Sequence, residues 1–158
     1  AFFTAQEEAG KSWRFVHEWF KKNKISTDKL VVLDTSPYES REEADKQLVV
    51  LRNKDVNAKF KSPLLKVLKQ FCKKNKISFS CKDKFIIEKN KLREKEGLKP
   101  ISIGSTELGR IVMESNGQIQ GATLQIPTTG YHTVDETACV ESIKAIIFIL
   151  SSFYIKNF

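Results

Sequence analysis

The chain has 158 residues, 41% of them hydrophobic and 29% charged, which is typical of one globular domain with a buried core. Its longest apolar stretch, Ala145 to Ile155, contains two serines and is too short to span a bilayer, so we expect no membrane partner. The net charge of +8 comes from 27 Lys and Arg against 19 Asp and Glu, mostly lysines spread over many segments, so the charge alone does not indicate a nucleic-acid partner.

The cysteines indicate the redox environment. Cys72, Cys81 and Cys139 are odd in number and show no Cys-x-x-Cys spacing. This pattern favours a reduced, cytoplasmic protein without a disulfide framework.

The first stretch that could carry chemistry lies at the start of the chain. The apolar run Phe2–Gln6 predicts a short buried strand, and the adjacent carboxylates Glu7 and Glu8 follow it. In open α/β sheets, chemistry collects just past the carboxyl ends of strands. There, one Glu can bind a metal while the other takes a proton from water. Because the chain begins directly on this strand without Met, we expect part of the natural protein to precede Ala1.

A helix and a strand are predicted next. Lys11–Lys24 has a wide apolar face and predicts a helix, on which His17 is expected to pack against neighbours rather than to bind a ligand. Leu30–Leu33 is continuously apolar and ends at Asp34, which predicts a buried parallel strand with a carboxylate at its tip. In contrast, the pair Glu42-Glu43 is interpreted as a solvated helix face.

The middle of the chain contains a short repeat. Lys-Lys-Asn-Lys-Ile-Ser occurs at Lys21–Ser26 and again at Lys73–Ser78, each time after a predicted helix. A basic binding motif is one interpretation, and a helix C-terminal cap used twice is the other. We favour the cap, with Asn75 in the left-handed position, because both copies have the same structural context.

The remaining elements continue the alternation of strands and helices. Thr133 and Glu136 have the spacing of a capping box before the last helix. The apolar stripe of that helix is predicted to run through Ile143, Ile147, Leu150 and Tyr154, and to be widened by Ile146, Phe148 and Ile149. The other predicted elements are the strands 47–52, 77–80 and 121–126, the helix starting at Ser62-Pro63, the helix 85–96 and a short helix ending at Met113.

This alternation predicts one α/β domain over residues 1–158, with three layers (α/β/α) and a mostly parallel sheet. Glu7-Glu8, Asp34 and the loop residue His132 each follow a predicted strand, so they are expected to meet at one edge of the sheet. Carboxylate and imidazole groups together suit zinc, cobalt or manganese. Taken alone, His132 could equally be a surface or capping residue.

The sequence also resembles a known family, the co-catalytic metallo-aminopeptidases of the glutamyl and deblocking type, and specifically the second half of their catalytic domain. The Gln-Glu-Glu and Tyr-His elements are the most specific parts of this resemblance. The stretches that carry it are, in order, Thr4–Gly10, Val31–Asp34, Gly104–Glu107, Ile126-Pro127 and Tyr131-His132.

The resemblance implies a role for each candidate residue. Glu7 would be the general base that activates water, Glu8 and His132 would hold one divalent metal ion, and Asp34 would hold a second. Zinc is the expected metal, with cobalt and manganese as alternatives. Peptides would be the substrates, cleaved at their N-terminal residue, and a homo-oligomer is compatible with the family.

The sequence departs from the family in three ways. Gly104–Glu107 reads Gly-Ser-Thr-Glu where the family has Gly-Gly-Thr-Asp, the dimerisation domain that the family inserts is absent, and so is the His-x-Asp pair that supplies further metal ligands. We therefore interpret the chain as the C-terminal portion of an enzyme whose N-terminal half supplies the rest of the site. The alternative is an inactive homologue that acts as a binding module. A basic nucleic-acid-binding domain is disfavoured because the lysines are not interleaved with aromatics and no nucleic-acid motif is present.

Overall fold

A computed structural model describes residues 1–4 and 9–154 of the chain. Its strands form one sheet with the order β1-β4-β2-β3, and β5 pairs with β4. The elements in chain order are α1 (Ser12–Lys22), β1 (Thr27–Pro37), α2 (Arg41–Asp45), β2 (Val49–Leu51), α3 (Leu64–Lys74), β3 (Phe79–Cys81), α4 (Lys82–Lys95), α5 (Glu107–Glu114), β4 (Ile119–Thr129), β5 (Thr137–Ala138) and α6 (Val140–Tyr154).

The long strands β1 and β4 form the main part of the sheet. They run parallel from the pair Leu30–Gly121 to the pair Pro37–Thr128. β2 and β3 are also parallel to each other, whereas β2 and β5 run antiparallel to β4. The predicted α/β fold with a mostly parallel open sheet is therefore confirmed.

Helices cover both faces of this sheet because successive strand residues point to opposite sides. Val49 and Leu51 of β2 pack with α3 and α6 in the largest apolar cluster. Val50, between them, packs on the other side with α2 and α4. On that second side, α1 and α5 cover the β1–β4 half of the sheet.

The strand β1 was predicted to be parallel and buried, and only the first of these predictions is correct. Its parallel pairing with β4 is confirmed, but among the described strands β1 lies at an edge of the sheet, and Leu33 is 54% exposed. Asp34 does not end the strand either, since β1 continues to Pro37. Apolar runs indicate strands well, but they do not reveal which strand lies at the edge.

The repeated hexapeptide ends α1 and α3 in the same way. Lys24 and Lys76 adopt left-handed conformations, with φ of 54° and 55°. The amides of Ile25 and Ile77 donate back to the carbonyls of Phe20 and Cys72, at 3.0 and 2.9 Å. This is the Schellman pattern of a helix C-terminus.

The prediction that the Asn of this repeat takes the left-handed position is wrong. Asn75 has φ of −97°. Its amide Nδ2 instead donates to the carbonyl of Phe71 at 2.9 Å, and Asn23 contacts Trp19 in the same way at 2.7 Å. The side chain thus caps a carbonyl while the following Lys carries the backbone turn.

The predicted buried strand at the start of the chain is not found in its described part. Residues 1–4 have no regular structure, and Phe3 is 100% exposed. The ring of Phe2 packs edge-on against Trp19 at 5.1 Å between centroids, so its apolar surface lies on α1 rather than in the sheet. The rest of the predicted strand, Ala5 and Gln6, lies outside the described residues.

The last helix starts later than predicted, and it packs through one side of the predicted apolar face, with Ile146, Ile149 and Leu150 against the core. Thr133 and Glu136 form a turn in the preceding loop, and α6 begins only at Val140. The helix packs through a stripe with smaller side chains, Ser142, Ala145, Ile146 and Ile149, while Ile143 and Ile147 stay exposed. None of the helices in residues 1–4 and 9–154 has the length and apolar character needed to cross a bilayer.

Candidate functional site

A cavity of about 500 Å³ lies beside the second half of β1. The segment Ile101–Glu107, which precedes α5, forms much of one wall, and the start of α4 contributes another. Asn90 of α4 fixes this segment, since its side chain bonds both the N–H and the C=O of Ile101, at 2.8 and 2.9 Å. The cavity is therefore built on anchored backbone.

Asp34 and His132, two of the predicted metal ligands, both line this cavity. Asp34 lies opposite Gln125 in the parallel register. Its Oδ1 accepts from the Thr35 amide at 2.7 Å, and its Oδ2 accepts from Nε2 of Gln125 at 2.9 Å. Gln125 is fully buried, so it holds this carboxylate in a fixed orientation.

His132 lies in the loop that follows β4. Its backbone is left-handed, with φ of 60°, and its amide donates to Oε2 of Glu136 at 3.3 Å. The Tyr131 ring lies 3.8 Å from the imidazole, measured between centroids. Glu136, which the sequence indicated as part of a helix cap, thus holds the turn that carries His132.

Glu7 and Glu8, the predicted base and ligand, lie outside the described residues. The chain that follows them does reach the cavity, since Gly10 lines it. The Gly10 carbonyl accepts from Arg110 NH1 at 2.6 Å and from Nε1 of Trp13 at 3.0 Å. Gly10 has φ of +62°, and an added Cβ would lie 2.8 Å from Arg110 NH1, so the glycine suits both the turn and the close approach.

Asp55 holds the wall segment in place. It lies between the predicted strand 47–52 and the helix predicted from Ser62, where no sequence pattern marked it. Its Oδ2 accepts from the amide and the hydroxyl of Thr106, at 2.7 and 2.8 Å. The same hydroxyl accepts from the Gly109 amide and so caps α5. A Cβ on Gly109 would lie 1.9 Å from Asp55 Oδ2, so only glycine fits there.

Arg52 is the first of two buried cations in the cavity wall. It is 4% exposed, and its Nε donates to Oε1 of Gln125 at 2.7 Å while NH1 donates to the carbonyl of Ile103 at 2.6 Å. Burial lowers its pKa, and the charges of Asp34 and Asp55 oppose that shift. A guanidinium keeps its charge even so. Arg52 directly follows an apolar strand, as Asp34 follows Leu30–Leu33, and this position was the available signal.

Lys82 is the second buried cation and is 5% exposed. Its ammonium donates to the carbonyl of Pro37 and lies 4.1 Å from the centroid of the Tyr38 ring. Burial, followed by the charge of Arg52, lowers the pKa of Lys82 from 10.5 to about 8. No signal in the sequence distinguishes Lys82 from the many exposed lysines around it.

The described residues supply part of a metal-ligand set. Asp34 and His132 offer a carboxylate oxygen and an imidazole nitrogen, groups that suit zinc, cobalt and manganese. Within the described part of the chain, no three His, Cys, Asp or Glu side chains are grouped so that they could hold a metal ion. The fit is therefore partial, and the ligand roles of Glu8, Asp34 and His132 stay predictions.

Comparison with known proteins adds evidence about the fold. No protein-family model matches the sequence, and no curated protein is significantly similar to it. The fold is similar to that of PhTET1-12s. The match has a TM-score of 0.65 at 17% identity and covers 96% of this chain but 39% of that one. PhTET1-12s was solved as a dodecamer in the asymmetric unit. The likeness shows that the two chains share an α/β fold.

Proposed function

We propose that this chain is part of a metal-dependent aminopeptidase that removes N-terminal residues from peptides. The observation that carries the proposal is that Asp34 and His132, far apart in sequence, line one cavity. Gly10, three residues after Glu7 in the sequence, lines the same cavity. The fold likeness supports the proposal as well, since PhTET1-12s is a TET-type metallo-aminopeptidase.

In this proposal Glu7 is the general base and takes a proton from the attacking water. Glu8 and His132 would hold one metal ion, and Asp34 would hold the other. When bound, two divalent ions, zinc or alternatively cobalt or manganese, would supply Lewis-acid activation of the water and of the peptide carbonyl. Gln125 and the Thr35 amide keep Asp34 oriented as an acceptor.

The proposed metal site needs ligands beyond Glu8, Asp34 and His132. No His-x-Asp pair is present in the sequence, so a further segment of the same enzyme would have to supply the remaining ligands. The chain spans about two-fifths of the length of PhTET1-12s. Homo-oligomerisation belongs to the same proposal, and light scattering on the purified protein would test it.

The decisive experiment is Glu7→Gln in protein expressed from its full reading frame. We expect peptide hydrolysis to fall by at least a thousandfold, while metal content measured by atomic emission stays near the wild-type value. Asp34→Asn and His132→Ala should instead lower the metal content itself. A Glu7→Gln enzyme with wild-type turnover would rule out the assigned base.

An inactive homologue that acts as a binding module is the second candidate. It is favoured by the incomplete ligand set in the described residues and by the Gly-Ser-Thr-Glu sequence at Gly104–Glu107. Metal stoichiometry separates the two. An active enzyme should retain close to two ions per chain after dialysis, whereas the inactive homologue should retain little metal and show no hydrolysis.

A further inference from the structure

Arg52 and Lys82 share an unusual property. Both are at least nine-tenths buried, both line the same cavity, and neither has an ion pair with a carboxylate among the residues that the structure describes. Buried cations are normally paired, because removing a charge from water is expensive. Two such cations together indicate that an anion belongs with them.

The carboxylates whose charges raise the pKa of Arg52 already accept hydrogen bonds from other groups. Asp34 accepts from Gln125 and from the Thr35 amide. Asp55 accepts from Thr106, and Asp83 accepts from the Nδ2 and the amide of Asn53. These groups act on Arg52 from a distance and do not replace a direct partner.

The carboxylates around Lys82 are engaged in the same way. The charges of Glu39 and Glu43 raise the pKa of Lys82, but both carboxylates form ion pairs with Lys89, at 2.7 and 3.3 Å. The direct contacts of the Lys82 ammonium are the Pro37 carbonyl and the Tyr38 ring, which are uncharged. Arg52 and Lys89 add repulsion.

We propose that Arg52 and Lys82 together bind the carboxylate of a small organic ligand in this cavity. A carboxylate is favoured over a phosphate dianion because the cavity also presents the carboxyl groups of Asp34, Glu39 and Glu107, which would repel a doubly charged group more strongly. The wall adds apolar side chains for the body of the ligand, namely Ile86, Ile101 and Ile103. The cavity is the one that Asp34 and His132 line, but this proposal depends on neither a bound metal nor Glu7.

The test compares two probes of nearly equal shape, 4-methylvalerate and its uncharged amide, 4-methylvaleramide. Binding is measured by NMR titration at pH 7 and constant ionic strength, with the neutral chelator 1,10-phenanthroline present so that metal cannot bind the carboxylate. We expect the carboxylate to bind at least tenfold more tightly than the amide. Lys82→Met should remove this difference, and Lys82→Arg should keep part of it.

Lys84→Met is the matched control, because Lys84 lies on the same helix and is exposed. It should bind both probes as the wild type does. Equal affinity for the two probes, no binding of either, or unchanged binding by Lys82→Met would overturn the proposal. So would inorganic phosphate competing more strongly than the carboxylate. If Lys82→Met failed to fold, the wild-type comparison of acid with amide would still decide the matter.

Discussion

Burying the charged side chain of Lys82 lowers the stability of the fold by a measurable amount. Its ammonium is almost completely removed from water, and the charge of Arg52 opposes it further. The Pro37 carbonyl and the face of Tyr38 compensate only in part, since a cation–π contact contributes about 1–2 kcal/mol. The pKa near 8 means that the folded protein releases this proton more readily than the unfolded chain does.

We therefore expect stability to rise with pH in one window. Between about pH 8 and 10.5 the unfolded chain binds more protons at Lys82 than the folded protein, so the free energy of unfolding increases with pH there. Below pH 8 the full cost is present, about 3 kcal/mol by linkage. Lys82→Met should thus raise the unfolding free energy at pH 7 by about 2 kcal/mol, and this gain should shrink towards pH 10. Urea denaturation at pH 7 and 9.5 measures it.

Lys84→Met provides the reference for that experiment, because its side chain is exposed and its change in stability should be small at both pH values. A stability difference between Lys82→Met and the wild type that is the same at pH 7 and pH 9.5 would contradict this account of Lys82.

At the scale of elements, the two copies of the hexapeptide show that a short sequence can specify a local structure twice. In both copies an Asn amide caps a carbonyl one turn back, and a left-handed Lys lets the chain leave the helix. A non-glycine residue in this conformation costs about 1–2 kcal/mol. The left-handed backbone at Lys24 and Lys76 therefore favours glycine over lysine.

Lys24→Gly and Lys76→Gly should therefore each stabilise the protein, by about 0.5–1 kcal/mol, because relief of backbone strain exceeds the greater entropy of glycine in the unfolded chain. Lys73→Gly is the opposite control. It lies inside the last turn of α3, where glycine should cost about 1 kcal/mol. Thermal unfolding of the three variants tests this. A loss of stability in both repeat variants would show that the left-handed lysines are not strained.

The same elements show what local sequence can and cannot predict. The role of the repeat as a helix cap was predictable, because it depends on residues that are close together in the sequence. The packed face of α6 was not, because Ile143, Ile146, Ile147 and Ile149 are equally apolar. The choice between faces depends on the fit of Ser142 and Ala145 against the sheet, which is a property of the tertiary structure.

At the scale of the whole molecule, the parallel pairing of β1 and β4 brings Asp34 and His132 to one cavity. That part of the site follows from strand order, and the sequence predicted it. The contribution of Arg52 and Lys82 does not follow from strand order. Arg52 follows an apolar strand, but β2 runs antiparallel to β4, so the rule that parallel strand ends share an edge does not place Arg52 beside Asp34. Strand direction across a sheet depends on long-range pairing, which no local pattern records.

The position of β4 should also determine which part of the fold opens last. β4 has neighbours on both sides, and Ala122 and Leu124 are fully buried, whereas β1 has a described neighbour on one side only and exposes Leu33. Amides in a central, buried strand exchange with solvent only on global unfolding, and edge strands open locally. Hydrogen exchange followed by NMR should therefore show the slowest rates at Ala122 and Leu124, and rates at least a hundredfold faster at Leu33. If Leu33 exchanged as slowly as Leu124, another strand would have to cover the β1 edge in solution, and this sheet would be larger than its described part.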